Sequence, residues 1–308
     1  MERSTEIGEF LRSRRARLRP EDAGLVDYGG RRRVPGLRRE ELARLAGVSV
    51  GYYTRLEQGQ SPGASDAVLD AIARVLRLDG DERTHLYTLA RPAPGPRRRP
   101  APERLRPTIR IMVESFGDVP ALVLGRRVDV LAWNRMGHAL LAGHLDFHAP
   151  ERPADRPNWA RLFFLDPHIR ALFTDWGKKA LDTVADLRVI AGQYPDDRLL
   201  AELIGELTMK SAEFSALWSA HPVRRCAHHT REYRHPVVGP LTLTDELLQL
   251  PDDEGQRLAI FTAEPDSPSR SALRLLAGLT AEHAERPARD TARQAVGFRP
   301  VRRTMPSA

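Results

Sequence analysis

Cys226 is the only cysteine among the 308 residues. A lone thiol closes no intrachain disulfide, so the fold must rest on burial rather than covalent staples, and nothing marks an oxidising compartment. Lysine is almost as scarce: Lys178, Lys179 and Lys210 are the only three, and arginine carries nearly all of the positive charge. No apolar run approaches the roughly 18 residues of a membrane span. The opening MERSTEIGEFLRSRR has no apolar stretch of the kind a secretion signal requires. A cytoplasmic location with no membrane partner is therefore expected. Also missing are the GxxxxGK[ST] phosphate loop, the GxSxG nucleophile elbow and the HExxH zinc helix, so no catalytic constellation is legible and no enzymatic activity is expected.

What is present describes a folded, well-solvated protein, with 41% apolar and 29% charged residues. The length calls for two domains. The net charge of +7 is unevenly placed: residues 1–105 hold 21 Arg against 15 acidic residues, while the remainder is close to neutral. A cationic surface confined to one third of a chain attracts phosphate backbones, with a strength that falls steeply with salt.

Organisation follows from composition and period. Arg91 to Glu103, RPAPGPRRRPAPE, packs five prolines, a glycine and four arginines together, which reads as an extended spacer. Four segments result: residues 1–90, a linker over 91–105, a second domain over 106–285, and a tail over 286–308 that lacks periodicity and is expected to be disordered. Before the linker the pattern is helical: Ile7, Phe10 and Leu11, then Leu42, Leu45 and Ala46, then Leu69, Ile72, Ala73 and Leu76 fall at helical spacing. Ser65 or Asp66, and Asp79 or Asp81, are candidate caps. The second domain mixes types. A helix is expected near 108–116, a hairpin around Gly125-Arg126-Arg127, helices over 168–193, 198–207 and 212–221, strands in REYRHPVVGPLTLTDELLQLP and QRLAIFTAEP, and a closing helix from 269 to 285. The fold class is multidomain, with an all-α five-helix bundle followed by an α+β domain built on an antiparallel sheet.

The most informative stretch is LRREELARLAGVSVGYYTRLEQGQSP, residues 37–62. A first helix from Arg38 to Ala46 ends at Gly47, which supplies the left-handed backbone of a tight inter-helix turn, and Val48 plugs that turn into the core. Ser49 then caps a second helix. Tyr53 and Leu56 point inward with Leu42 and Leu45, while Val50, Gly51, Tyr52, Thr54 and Arg55 lie outward near its start, the face a recognition helix lays in the major groove.

These residues resemble the lambda-repressor-like, or Xre-type, helix-turn-helix regulators: Leu42-Ala43, Gly47-Val48-Ser49, Leu56-Glu57-Gln58-Gly59 and Pro62 stand where that family has them. The resemblance implies phosphate contacts at Ser49 and Arg44 and base-edge contacts at Val50, Gly51, Tyr52 and Arg55. Arg55 either reads guanine through parallel donors or pairs with a carboxylate on the bundle surface. An enlarged loop carries Arg31, Arg32 and Arg33, placed either to enter a minor groove or to stay solvated. Gly36-Leu37-Arg38-Arg39-Glu40-Glu41 is similar to one actinobacterial branch, the MmyB-like regulators, and adds Arg38 and Arg39 to the DNA-facing candidates.

That second resemblance continues through Trp133-Asn134, Asn158-Trp159-Ala160-Arg161-Leu162-Phe163-Phe164-Leu165-Asp166-Pro167, Trp176, Tyr194-Pro195, Phe214, Trp218 and Tyr233-Arg234-His235-Pro236-Val237-Val238-Gly239. It implies a PAS-like domain that binds a small hydrophobic effector such as a fatty acid. The lining candidates are Trp133, Asn134, Phe163, Phe164, Trp176, Phe214 and Trp218, with the alternative that these aromatics are plain core. Arg161 and Arg188 either meet a ligand carboxylate or pair internally with Asp166 or Asp186. The His221, Cys226, His228, His229 and His235 group matches no standard zinc spacing, so no metal is expected. A homodimer reading two half-sites about 34 Å apart follows from how few base pairs one short helix can read. The rival readings of the second domain are a protein-interaction module and a small-molecule enzyme.

Overall fold

The computed structural model describes residues 2–25, 36–60, 63–91, 103–223, 228–251 and 255–281. The head consists of five α-helices: α1 (Glu2–Arg17), α2 (Arg39–Leu45), α3 (Val50–Glu57), α4 (Asp66–Val75) and α5 (Gly80–Ala90). Side chains set where they begin. Ser49 accepts the Tyr52 amide, Ser65 that of Val68 and Asp79 that of Glu82, so each cap satisfies an amide that a helix start would otherwise leave orphaned. Gly47 sits at φ +68°, the left-handed region that turns α2 into α3. Phe10, Leu11, Leu42, Tyr53, Leu56 and Leu69 fill the core, with Val48 packed at its edge. Leu45 departs from expectation, being 38% exposed. Helix α2 has only seven residues, and Leu42, Ala43 and Ala46 already occupy its inner face, which leaves Leu45 on the rim.

The second domain opens with α6 (Pro107–Ser115) and the hairpin β1 (Ala121–Leu124) and β2 (Val130–Trp133). Six helices follow: α7 (Arg135–Ala142), α8 (Trp159–Leu165), α9 (Pro167–Leu172), α10 (Trp176–Gln193), α11 (Arg198–Lys210) and α12 (Ala212–Ser219). The chain then returns through β3 (His228–His235), β4 (Gly239–Gln249) and β5 (Arg257–Thr262) and closes with α13 over residues 268–281. The five strands form one antiparallel sheet in the order β2-β1-β5-β4-β3. β5, last in the chain, slots between β1 and β4 and joins two hairpins about a hundred residues apart in sequence. One face packs on α6 through Ile109 and Val113; the other carries the large core shared with α7 to α13.

The helical stretch expected over 168–193 is broken. Phe173 bridges to Tyr233 and the Thr174 amide donates to Glu232, after which Asp175 caps α10. A tertiary strand contact thus interrupts a sequence that is helical on either side. Helix α8, unanticipated, starts at Asn158, whose side chain accepts the Arg161 amide. The sequence places turn chemistry at Gly125-Arg126-Arg127, and the turn includes Val128 at φ +58°. That is an outlying conformation for a β-branched residue, held by the bond from the Trp159 amide to the Val128 carbonyl. Most of the proline-rich spacer (92–102) and the tail beyond 281 lie outside the described residues.

Candidate DNA interface and effector cavity

Helix α3 presents the face that the sequence assigns to DNA. Val50 is 41% exposed, Gly51 and Arg55 are exposed, and Tyr52 and Thr54 are half-buried. A Cβ built at Gly51 meets nothing within 4 Å, so this surface is open. Arg44 is exposed on the neighbouring helix. Among the described residues neither Arg44 nor Arg55 has an ion-pair partner. The Ser49 hydroxyl is engaged as the cap, 3.1 Å from the Tyr52 nitrogen. Arg38 and Arg39 are exposed at the start of α2, and Arg39 lies 3.1 Å from Glu57. Arg31, Arg32, Arg33 and Pro62 lie outside the described residues.

Behind this face, Glu57 ties the head together. Its side chain is 1% exposed and lies 3.0 Å from Arg15 of α1 as well as beside Arg39, so one carboxylate at the end of α3 anchors both earlier helices. Burial first, and then the charge on Glu57, push the Tyr53 phenol upward and keep it neutral.

In the second domain most of the expected ligand contacts serve the fold. Trp133 is buried and donates from Nε1 to the Phe147 carbonyl at 2.8 Å. The Asn134 oxygen accepts the Ala121 and Gly137 amides, and its nitrogen donates to Val119. Phe163, Phe164 and Phe214 are core, Phe163 stacks on Trp176 and Phe214 on Trp218. Arg161 is exposed and bonds Glu206 at 2.8 Å, while Arg188 is buried, donates to the Trp218 carbonyl and lies over that ring. Neither arginine pairs with Asp166 or Asp186, the internal partners considered from sequence.

A cavity of about 60 Å³ opens instead between the sheet face and α10, lined on its apolar side by Leu122, Leu124, Leu141, Phe173, Tyr233 and Phe261. None of the nine expected residues lines it. Its polar side comes from α10, through Lys179, Asp182, Thr183 and Asp186, and from β4, through Asp245 and Glu246. The four on α10 recur at i, i+3, i+4 and i+7 and form one polar stripe on the helix, a signal legible in sequence that the aromatic residues masked. The acids are matched from the strands. Arg231 Nη2 lies 2.8 Å from Asp182 and its Nε 3.0 Å from Asp245, and Arg257 Nη1 bonds both Asp186 oxygens at 2.8 and 2.7 Å. Lys179 is held more loosely, 4.0 Å from Asp245. A second cavity of about 210 Å³ adjoins the first, with Asp186 and Leu247 lining both and Val189, Ile190 and Gln193 continuing the α10 wall.

The histidine cluster disperses: His228 pairs with Glu246, His229 approaches Asp182, His235 bonds the Ala139 carbonyl and His221 faces Glu9. Cys226 lies outside the described residues. A different trio, His144, Asp166 and His168, brings its ligand atoms within 4.8 Å of one another at the surface. Asp166 there accepts from both rings and from the His168 amide, so it is already engaged as the cap of α9.

Two family models match the chain: a helix-turn-helix domain over residues 6–86, and the MmyB-like transcription regulator ligand binding domain over residues 105–276. The chain belongs to the MmyB-like transcription regulators. No curated protein matches it. The helix-turn-helix and MmyB-like readings therefore hold, and the junction between the two matches coincides with the proline-rich spacer. Among the described residues no helix is long and apolar enough to cross a membrane.

In this MmyB-like chain head and regulatory domain share a seam. Arg14 donates to the His221 carbonyl at 2.8 Å and Arg17 to that of Ala220 at 3.0 Å, and α5 packs on α10. Burial, then Arg188 and Arg14, push His221 down to about 4 and His85 down to about 3. Both rings are neutral in the folded protein and titrate near 6.5 once unfolded. The stability they permit is complete above pH 6.5 and is lost as the pH falls toward 4. Melting temperature should fall steadily over that range, and His221→Gln should flatten the slope; a pH-independent melting temperature between 7 and 4.5 would contradict this.

Proposed function

We propose that this regulator is a cytoplasmic, non-enzymatic homodimer that reads an operator with α3 and responds to a hydrophobic effector, fatty-acid-like in character, bound between the sheet and α10. We take the domain limits as 1–90 and 106–285 with a spacer between, and read the regulatory domain as PAS-like. The observation that carries the DNA reading is the open outer face of α3, with Arg44 and Arg55 unpaired by other described side chains. For the effector, the apolar lobe of the cavity suits a hydrocarbon chain, and Lys179 is the cation available to a carboxylate head group. The carboxylates of α10 are each matched by arginine, which holds them as ion pairs rather than as free bases.

The test begins by selecting a duplex from a random library with the purified protein and following binding by fluorescence anisotropy. Arg55→Ala should weaken binding to the selected duplex by about 1–3 kcal/mol, roughly ten- to a hundredfold, and relax preference at one base position. Arg44→Ala should instead weaken all duplexes alike and reduce the salt slope by about one. Equal affinity of wild type and Arg55→Ala for the selected duplex would remove the recognition role. Calorimetric titration with saturated fatty acids, on wild type and Lys179→Met, tests the effector class: tight binding that weakens in the variant is expected.

A further inference from the structure

We propose that α10 is the element through which the effector cavity acts on the DNA-binding head, so that filling the cavity loosens the docking of α1 and α5. This rests on reading that cavity as the effector site. Helix α10 runs unbroken for 18 residues, about 27 Å at the usual rise. Its first two thirds face the cavity with Lys179, Asp182, Thr183 and Asp186. Its second half faces the head. The Val189 side chain lines the adjoining cavity and at the same time belongs to the head's own hydrophobic core. Gly192 lies so close to α5 that a Cβ there would stand 2.9 Å from His85 Cε1. One helix therefore has cavity along one side of its length and the head against its second half.

Size dictates that something must move. Cavities of about 60 and 210 Å³ are below the roughly 300–1,000 Å³ of pockets that enclose small ligands, so a chain-like effector enters only if a wall yields. The sheet wall is the stiffer one: β1, β5 and β4 are laddered together by backbone hydrogen bonds, and α6 closes the face behind β1 and β5. On the other side α10 is joined to the strands through side chains, Asp182 to Arg231 and Asp186 to Arg257, so it shifts as a rod without breaking a backbone bond. Packed interiors transmit such a shift rather than absorb it.

The seam at the far end is built to be weak. It buries Arg14, Arg188 and His85, respectively 2%, 5% and 5% exposed, and burial holds Arg14 and Arg188 down to about 10. Much of what docking gains from Val189 and Val223 is offset by desolvating these groups, which leaves an equilibrium that a modest displacement can tip.

Hydrogen exchange on the full chain tests the proposal with three perturbations. Dodecanoic acid is the ligand probe, Ala259→Phe, at a position of β5 that also lines the cavity, fills it without any ligand, and Gly192→Val wedges the seam directly. Should Ala259→Phe fail to fold, Thr183→Leu fills the same space from α10. The expected result is a rise of about tenfold in exchange of the α5 and inner α1 amides with bound acid and with either filler, within the usual range of coupling between sites, while β1 and α6 amides are unchanged. Gly192→Val should show the raised exchange from the outset and still bind the acid without a further rise. Unchanged α5 exchange in a folded filler variant, or with acid bound to wild type, overturns the coupling. Absence of acid binding instead removes the fatty-acid reading, and the filler variants then decide the coupling on their own.

Discussion

Glu57→Ala is expected to destabilise the head by roughly 3–5 kcal/mol, the usual consequence of leaving a buried charge without its partner. The wild-type carboxylate is 1% exposed and Arg15, facing it, is 12% exposed. Removing Glu57 takes from the Arg15 guanidinium its buried charge partner and leaves it, among the described residues, beside the Leu37 carbonyl at 2.7 Å and the Tyr53 hydroxyl. It also releases Arg39 and so frees the start of α2 from the end of α3. A small domain has only about 5–15 kcal/mol in total, so much of the head should unfold at temperatures the native chain survives. All four tryptophans lie between 133 and 218, so the loss must be read by exchange or circular dichroism of the head rather than by tryptophan emission. Glu57→Gln keeps an acceptor and should fall between the two. A loss below about 1 kcal/mol, the value of a surface pair, would mean this carboxylate does not tie the helices. Operator binding should fail in parallel, because α3 is aimed only while its inner end is anchored.

Arg231→Leu should cost the regulatory domain a comparable roughly 3–5 kcal/mol. The change leaves Asp182, 1% exposed, beside His229 at 3.8 Å in place of the guanidinium at 2.8 Å, and it also takes from Asp245 its bond to Nε. Tryptophan fluorescence during urea unfolding reports on this domain alone. The double variant Arg231→Leu with Asp182→Leu should recover much of the loss, since an apolar pair of similar volume often equals or betters a buried ion pair. No recovery would mean that Asp182 has a further role at the cavity wall, where it lies. Losing α10's tie to β3 should also raise exchange at the seam, which links this variant to the proposed coupling.

Much of the head was legible because its determinants are local. The Gly47 turn, the Ser49, Ser65 and Asp79 caps, and the apolar period that buries Tyr53 and Leu56 all act over one or two helical turns. The rim position of Leu45 was not legible, since helical spacing says which residues share a stripe but not how far the partner helices extend over it. In the second domain the strands and most helices followed from pattern, whereas α7, α8 and the break at Phe173 did not. Phe173 leaves the helix because of Tyr233, sixty residues away, and no local propensity records such a partner.

The candidate site divides the same way. The outward face of α3 was readable in advance because a helix fixes which side chains share its outer turn. The cavity between the sheet and α10 was not: aromatics are conspicuous in a sequence, yet Phe163 and Phe214 became core, with Trp176 and Trp218 stacked half-buried against them. The residues that line the opening include a polar stripe on α10 opposite strands that lie far along the chain. Sequence alone determined the two-domain layout, the secondary structure of the head and the face of α3, since each depends on neighbours within a few residues. Only tertiary structure decided that β5 lies between β1 and β4, that Arg231 and Arg257 neutralise the acids of α10, and that this helix bears the head on its second half, because each is a meeting of groups whose proximity comes from packing rather than from the chain between them.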